Sequence, residues 1–445
     1  MLKISIPNNN INERNYIINV IFDEFLGIKH TVVIEDVVNY EITLGNRSKL
    51  IIEDDFFNAF QKDLSYLNEE NIPNEVTFIK TPFTEEYDIP LIFGSKEFEQ
   101  TDNSIMCGID IFASSFYMLT RWEEYAYKER DGHDRFPAHE SLAFKNNFLS
   151  RPIVNEYVEM LWNMLSHLGV DQERKERLFN LVLTHDVDFT KKYCNALSGI
   201  KEIVGDVVKR RDLRKAFLNL KLKCKSHFLS NDPYNTFDYL MTISEQLGVK
   251  SHFFFMGKGE TDFDNNYKTT DRFVQSLVKN IKSRGHLIGM HPSYNAFKKN
   301  ALFQQEKNEL ENSFDSEIKF GREHYLRFEV PTTWQIWNDN EMEWDSTMGY
   351  ADKEGFRCGT CYEFPVYNIL TQRVLSLKEK PLVVMEGSFM TYQNQLSAEE
   401  MTKRIIDLIS TVKKYNGDFV FLWHNSSFND KNYLKYRDVY ERVLL

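Results

Sequence analysis

The residues that could do chemistry stand mostly just after short apolar runs. Thr184-His185-Asp186-Val187-Asp188 closes one run, His291-Pro292-Ser293-Tyr294-Asn295 another, Arg322-Glu323-His324-Tyr325 falls within a third, and His424-Asn425 ends the last. On an extended chain Asp186 and Asp188, two apart, point the same way, so they can share one divalent cation or divide two roles, ligand and base. A bound cation lowers the pKa of its water, polarises a carbonyl and stabilises the charge of an acyl-transfer transition state. That chemistry is metal-assisted amide or ester hydrolysis. It also needs a general acid for the leaving group, and a histidine at another strand end, such as His424, titrates in the right range.

The elements that must bring these residues together can be read from periodicity. From residue 178 onward, apolar runs at Leu178 to Thr184, Ser251 to Met256, His286 to Met290, Ile318 to Phe328, Leu382 to Met385 and Asp418 to Trp423 alternate with helix-length patterns. The helical patterns are Thr236 to Gly248, Thr270 to Arg284 and Ala398 to Tyr415. Repeated strand and helix over such a length predicts a parallel α/β barrel, whose chemistry gathers at the carboxyl ends of its strands. Upstream, strand-like Thr31 to Glu35 and Lys49 to Glu53 mix with a helical Asp110 to Tyr125, which reads as a smaller α/β or α+β domain. A charged run, Leu168 to Arg177, follows the helical pattern Val158, Leu161, Trp162, Met164 and Leu165. It sets the expected boundary, with an accessory domain over 1–172 and the barrel over 178–445.

Composition narrows the class. Of 445 residues, 42% are hydrophobic, and with 19 Gly and 11 Pro the chain reads as globular rather than low-complexity. Lys plus Arg (54) against Asp plus Glu (66) gives a net charge of −12, which repels polyanions and argues against nucleic acid as a partner. No stretch of about 18 apolar residues occurs. The N-terminus turns polar soon after Met1, so the expected location is the cytoplasm. Five cysteines, an odd number, fit reduced thiols. Cys358-Gly359-Thr360-Cys361 lacks a second pair for zinc and sits in extended-looking chain, so it reads as buried structural thiols. The basic stretch Lys209 to Lys225 reads as a solvated helix face, and Phe253-Phe254-Phe255 as a barrel strand.

Five segments in order resemble the motifs of the polysaccharide deacetylases, carbohydrate esterase family four. They are Thr184-His185-Asp186-Val187-Asp188, Gly285 to His291 (Gly-His-Leu-Ile-Gly-Met-His), Arg322 to Tyr325, Asp345 in Trp344-Asp345-Ser346-Thr347, and Leu422-Trp423-His424. The first 170 or so residues resemble an uncharacterised domain found ahead of such deacetylases in bacteria, with Trp122-Glu123-Glu124-Tyr125 and Pro152 to Tyr157 the most suggestive part.

The resemblance implies a distorted seven-stranded β/α barrel that removes acetyl groups from sugars with a divalent metal, zinc being the expected ion and another divalent cation the alternative. It implies Asp186 as the base, Asp188 and His291 as metal ligands, His424 as general acid, Arg322 as the residue orienting the base, and Asp345 as the acid orienting the catalytic histidine. Tyr325 and Trp344 are the implied substrate contacts, with Trp334 and Trp337 as further stacking candidates.

The family's second metal histidine falls four residues after the first, where this chain has Asn295. A neutral amide is a poor replacement for imidazole on zinc. Asn295 is therefore the expected third ligand with a weakened site, and His324, which stands where the family usually has proline, or His185 is the substitute. The expected substrate is an N-acetylated sugar, a precursor or oligomer in bacterial surface polysaccharide metabolism. The alternative is a catalytically weakened or inactive glycan-binding or assembly protein. A glycosidase, which needs two acids roughly 5 to 9.5 Å apart across a sugar, fits the neighbouring Asp186 and Asp188 poorly.

Overall fold

The structure is a computed structural model describing residues 1–60, 62, 64–192, 232–264, 267–430 and 433–445. The basic stretch Lys209 to Lys225 and two of the cysteines, Cys194 and Cys224, lie outside the described residues. The protein is a mixed α/β chain with several sheets, and its contacts divide it into two compact units. Residues 1–180, 326–383 and 408–419 form the first; 181–325, 384–407 and 420–445 form the second. Each unit is therefore built from separate stretches of chain.

The first unit carries a six-stranded mixed sheet. Leu2–Ile6 pairs parallel with His30–Ile34 and antiparallel with Tyr40–Thr43, while Lys49–Ile52 pairs parallel with Ser104–Ile109. Apolar residues at alternate positions, such as Ile4, Ile6, Leu50 and Ile52, are buried, as a sheet with a covered face requires. The helical pattern at 110–125 forms two helices, Ile111–Thr120 and Trp122–Ala126, separated by Arg121 in the left-handed region (φ 54°). Asp110 caps the first through its side chain, accepting from Ala113 N at 2.9 Å.

The residues at Trp122-Glu123-Glu124 serve this unit's interior. Arg121 donates to both glutamates at 2.8 and 2.9 Å, and Arg357 donates through Nε to Glu124 at 2.9 Å, all of these side chains being buried. Buried charges must be paired in this way. Cys358 and Cys361 are buried free thiols. Trp334 and Trp337 are fully buried, Trp334 donating to Glu379 at 3.0 Å, so neither offers a ring face to a sugar.

In the second unit the strands Phe320–Gly321, Leu287–Met290, Ser251–Phe255, Asn180–Val187, Asp418–Leu422 and Val384–Met385 lie side by side in that order. Ser251–Phe255 pairs parallel with both Leu287–Met290 and Asn180–Val187, Leu287–Met290 with Phe320–Gly321, and Val384–Met385 with Asp418–Leu422. Buried runs such as Phe253-Phe254-Phe255 are what a parallel strand covered on both faces needs. Of the helices in this unit, Phe237–Gln246 and Arg272–Ser283 fall within the periodic stretches, whereas Asn300–Phe314 lies outside all of them.

The run expected over Ile318 to Phe328 is only a two-residue strand. Gly321 lies so close to Met290 that a Cβ there would stand 1.8 Å from the Met290 carbonyl oxygen. Beyond it Tyr325 and Leu326 both take positive φ (60° and 54°), which ends extended structure.

Candidate metal and hydrolytic site

Polar side chains that follow the parallel strands of the second unit meet at their carboxyl ends. Asp188 follows Asn180–Val187, His291 follows Leu287–Met290, Arg322 and His324 follow Phe320–Gly321, Glu386 follows Val384–Met385, and His424 lies two residues beyond Asp418–Leu422. Because the strands are short and parallel, residues distant in sequence arrive at one level.

Alternation along Asn180–Val187 sorts the first motif. Asp186 faces Arg322, whose Nη1 donates to its Oδ1 at 2.9 Å and to Thr184 Oγ1 at 3.1 Å. His185 points the other way. Its Nδ1 donates to the Trp423 carbonyl at 2.7 Å and its Nε2 lies 3.0 Å from Ser251 Oγ. Burial pushes the His185 pKa down to about 3, and the ring is a neutral core residue, not a ligand.

Asp188, His291 and His324 form one cluster, a ligand atom from each lying within 4.8 Å of the others. His291 Nε2 lies 3.3 Å from Asp188 Oδ1, and His324 Nε2 lies 3.6 Å from the same oxygen. That oxygen is buried without a hydrogen-bond partner. His291 Nδ1 contacts the Arg322 carbonyl at 2.7 Å. A carbonyl can only accept, so Nδ1 carries the proton and the Nε2 lone pair is directed at the cluster. A buried orphan carboxylate oxygen between two imidazole nitrogens suits a divalent cation taking mixed N and O ligands. Burial alone would disfavour the Asp188 carboxylate, but His291, His324 and His424 around it hold its pKa well below the usual range.

His424 completes the group. Its Nε2 lies 3.7 Å from Asp188 Oδ2, while Nδ1 bonds Glu386 Oε1 at 2.7 Å. The same oxygen accepts from the His424 backbone N–H at 2.8 Å and from Ser427 Oγ at 2.6 Å. Burial works against the imidazolium, yet the Glu386 carboxylate outweighs it and pushes the pKa up to about 10.

The carboxylate on the Nδ1 side of His424 is Glu386, a residue the motifs did not single out. Asp345 belongs to the first unit, where its Oδ1 accepts from Thr347 Oγ1 at 2.5 Å beside Glu379, whose pKa is raised by burial and by Asp345. His324 joins the cluster as a second imidazole. Asn295 is half-buried and opens the single turn Ala296–Lys298.

Glu386 was legible by the strand-end rule, since it follows the Leu382-Val383-Val384-Met385 run directly. Tyr325 is half-buried with its ring 4.7 Å from that of His324, and Trp344 is half-buried in the first unit. A cavity of about 370 Å³ in the first unit, lined by Arg174, Arg177, Tyr362, Lys414 and Tyr415 among others, contains none of these residues.

Residues 2–169 match the model of a family of unknown function, DUF7033. A comparison with curated protein sequences finds no match. Among solved structures, the chain is similar to a Mycobacterium smegmatis protein assigned to the polysaccharide deacetylases, at 12% identity and a TM-score of 0.38, covering 61% of this chain and 85% of the other. It is similar to the polysaccharide deacetylase Bc1974 from Bacillus cereus at 12% identity and a TM-score of 0.30, covering 60% and 86%. A third similar structure is a mutant of a pseudoenzyme of carbohydrate esterase family 4 with restored activity, at 10% identity and a TM-score of 0.30, covering 60% and 62%. Among the described residues no helix is long and apolar enough to cross a membrane.

Proposed function

We propose that the protein is a metal-dependent hydrolase that removes acetyl groups from an N-acetylated sugar. One observation carries the reading: Asp188, His291 and His324 converge within 4.8 Å, flanked by the Asp186–Arg322 and His424–Glu386 pairs. The ordered motifs from Asp186 to His424 support the same class. In this reading Asp188, His291 and His324 hold the cation, with His324 in place of the imidazole that Asn295 does not supply. Zinc is the ion we propose, given two imidazoles and one carboxylate.

A cation held there polarises the acetyl carbonyl and lowers the pKa of water. Asp186, fixed by Arg322, takes a proton from the attacking water as its oxygen bonds to the carbonyl carbon. His424, kept protonated by Glu386, gives its proton to the sugar nitrogen as the C–N bond breaks. The products are acetate and the free amine, so one water is consumed per acetyl group. Each proton transfer contributes about 10²- to 10⁴-fold.

Residues 178–445 correspond to a distorted seven-stranded deacetylase-like barrel, 1–172 to an accessory domain, and the substrate is a cytoplasmic precursor or oligomer of a bacterial surface polysaccharide. Tyr325 and Trp344 are the proposed substrate contacts. The test is acetate release by zinc-loaded protein from N-acetylated sugar oligomers and nucleotide-linked N-acetyl sugars. Release that disappears in Asp186→Asn supports the reading, whereas tight binding of the same sugars with no acetate from wild type favours the glycan-binding alternative.

A further inference from the structure

His324 differs from His291 in how its second ring nitrogen is held. His291 Nδ1 is fixed by a backbone carbonyl at 2.7 Å, but His324 Nδ1 is buried with no hydrogen bond at normal geometry. The group facing it is a carboxylate, Asp264 Oδ1, at 3.5 Å. A ring rotation of a few tenths of an ångström closes that distance to a hydrogen bond, with Nδ1–H donating and Nε2 directed at Asp188.

Asp264 is itself rigidly held. Its Oδ1 accepts from the Tyr294 backbone N–H at 2.7 Å; its Oδ2 accepts from the backbone N–H groups of Glu260 (3.0 Å) and Thr261 (2.7 Å) and from Thr261 Oγ1 (2.7 Å). One buried carboxylate thus ties together the loop after Ser251–Phe255, the loop after Leu287–Met290 and the ring after Phe320–Gly321. Nothing in the sequence marks it, because Asp264 sits in a polar loop away from every motif.

We infer that Asp264 is the positioning residue for the relocated ligand His324, setting its tautomer and ring orientation so that Nε2 meets Asp188 and His291. The inference rests on the metal-site reading above and extends it to a carboxylate–histidine–metal relay. Such partners fix ligand orientation and raise ligand basicity, and their loss typically costs about 10- to 100-fold in metal affinity. Asp264 touches neither substrate nor cation.

The experiment measures zinc affinity of the full chain by competition with a chromophoric chelator, and the visible absorption of the cobalt-substituted protein as a report of ligand geometry. Wild type, His324→Ala, Asp264→Ala and Thr261→Val are compared, with thermal melting to confirm folding. The expected result is a 10- to 100-fold weaker zinc Kd and an altered cobalt spectrum for Asp264→Ala. For Thr261→Val, which removes two loop bonds (Thr261 Oγ1 to Asp264 Oδ2 and Phe263 N–H to Thr261 Oγ1) and leaves Oδ1 facing the ring, the expected change is under about threefold.

An Asp264→Ala affinity within threefold of wild type overturns the inference while leaving the metal site standing. Equal losses in Thr261→Val and Asp264→Ala also overturn it, by assigning the effect to the loop. If Asp264→Ala does not fold, Asp264→Asn replaces it, and an unchanged cobalt spectrum in that folded variant counts against the relay. Zinc binding by wild type that is indifferent to Asp188→Ala and His291→Ala instead removes the metal-site reading itself.

Discussion

Replacing Glu386 with Gln removes one negative charge and almost no volume from a contact of 2.7 Å to His424 Nδ1. Two unit charges at that separation interact by about 6 kcal/mol at an effective dielectric of about 20. At 1.36 kcal/mol per pKa unit this is roughly four units, a ten-thousand-fold change in proton affinity. It is of the size needed to raise His424 from 6.5 to about 10 against the burial that opposes its charge. In Glu386→Gln that burial remains and the carboxylate does not, so His424 is expected to titrate near or below pH 6.5. The assay is NMR titration of the His424 ring in metal-free protein, matched by deacetylation rates of the loaded enzyme against pH. In the proposed mechanism the acid form of His424 donates, so the alkaline limb of kcat is expected to move to lower pH in the variant. A His424 that still titrates above pH 9 in Glu386→Gln refutes the reasoning, because the remaining carboxylates Asp186 and Asp188 would then suffice.

Removing the imidazole of His324 by His324→Ala is expected to weaken zinc binding more than 100-fold, while Asn295→Ala changes it by less than about threefold; equilibrium competition distinguishes the two, and the reverse order identifies Asn295 as the ligand. Gly321→Ala forces a Cβ to within 1.8 Å of the Met290 carbonyl oxygen, so the strand that leads to Arg322 and His324 must shift. A loss of at least about 2 kcal/mol in chemical denaturation is expected, together with weaker zinc binding. In the first unit, burial opposes the Glu124 carboxylate but Arg357 and Arg121 hold its pKa at about 2, below its ordinary 4.5. The unfolded chain takes up that proton first, so this group's contribution is complete above pH 4.5 and is lost as pH falls toward 2; denaturation midpoints over that interval measure it.

Local pattern made much of the second unit readable. Two-residue spacing puts Asp186 and Asp188 on the same side of the chain whatever the rest does, and puts His185 opposite, because the alternation belongs to the extended backbone itself. The apolar runs Leu178 to Thr184, Ser251 to Met256, His286 to Met290 and Asp418 to Trp423 marked strands, since a parallel strand covered on both faces needs little but apolar residues. Placing polar residues just past such runs was enough to nominate Asp188, His291 and His424, while Arg322 lay within the run Ile318 to Phe328.

Tertiary structure decided which of those residues meet. His424 and Glu386 are 38 positions apart and share one oxygen contact, a pairing that depends on strand order rather than on spacing. No motif singled out Glu386; packing put it against His424. The choice of His324 as the second imidazole of the cluster likewise rests on where a two-residue strand stops, and that stop is set by the close approach of Gly321 to Met290 and the positive φ of Tyr325. Trp334 and Trp337 could have been surface platforms or core, since hydrophobicity is the same in either place, and only burial tells them apart. Short-range sequence thus fixed the side chains available and the direction each strand presents them, whereas contacts between distant segments, whose free energy depends on the whole packed arrangement, selected the partners.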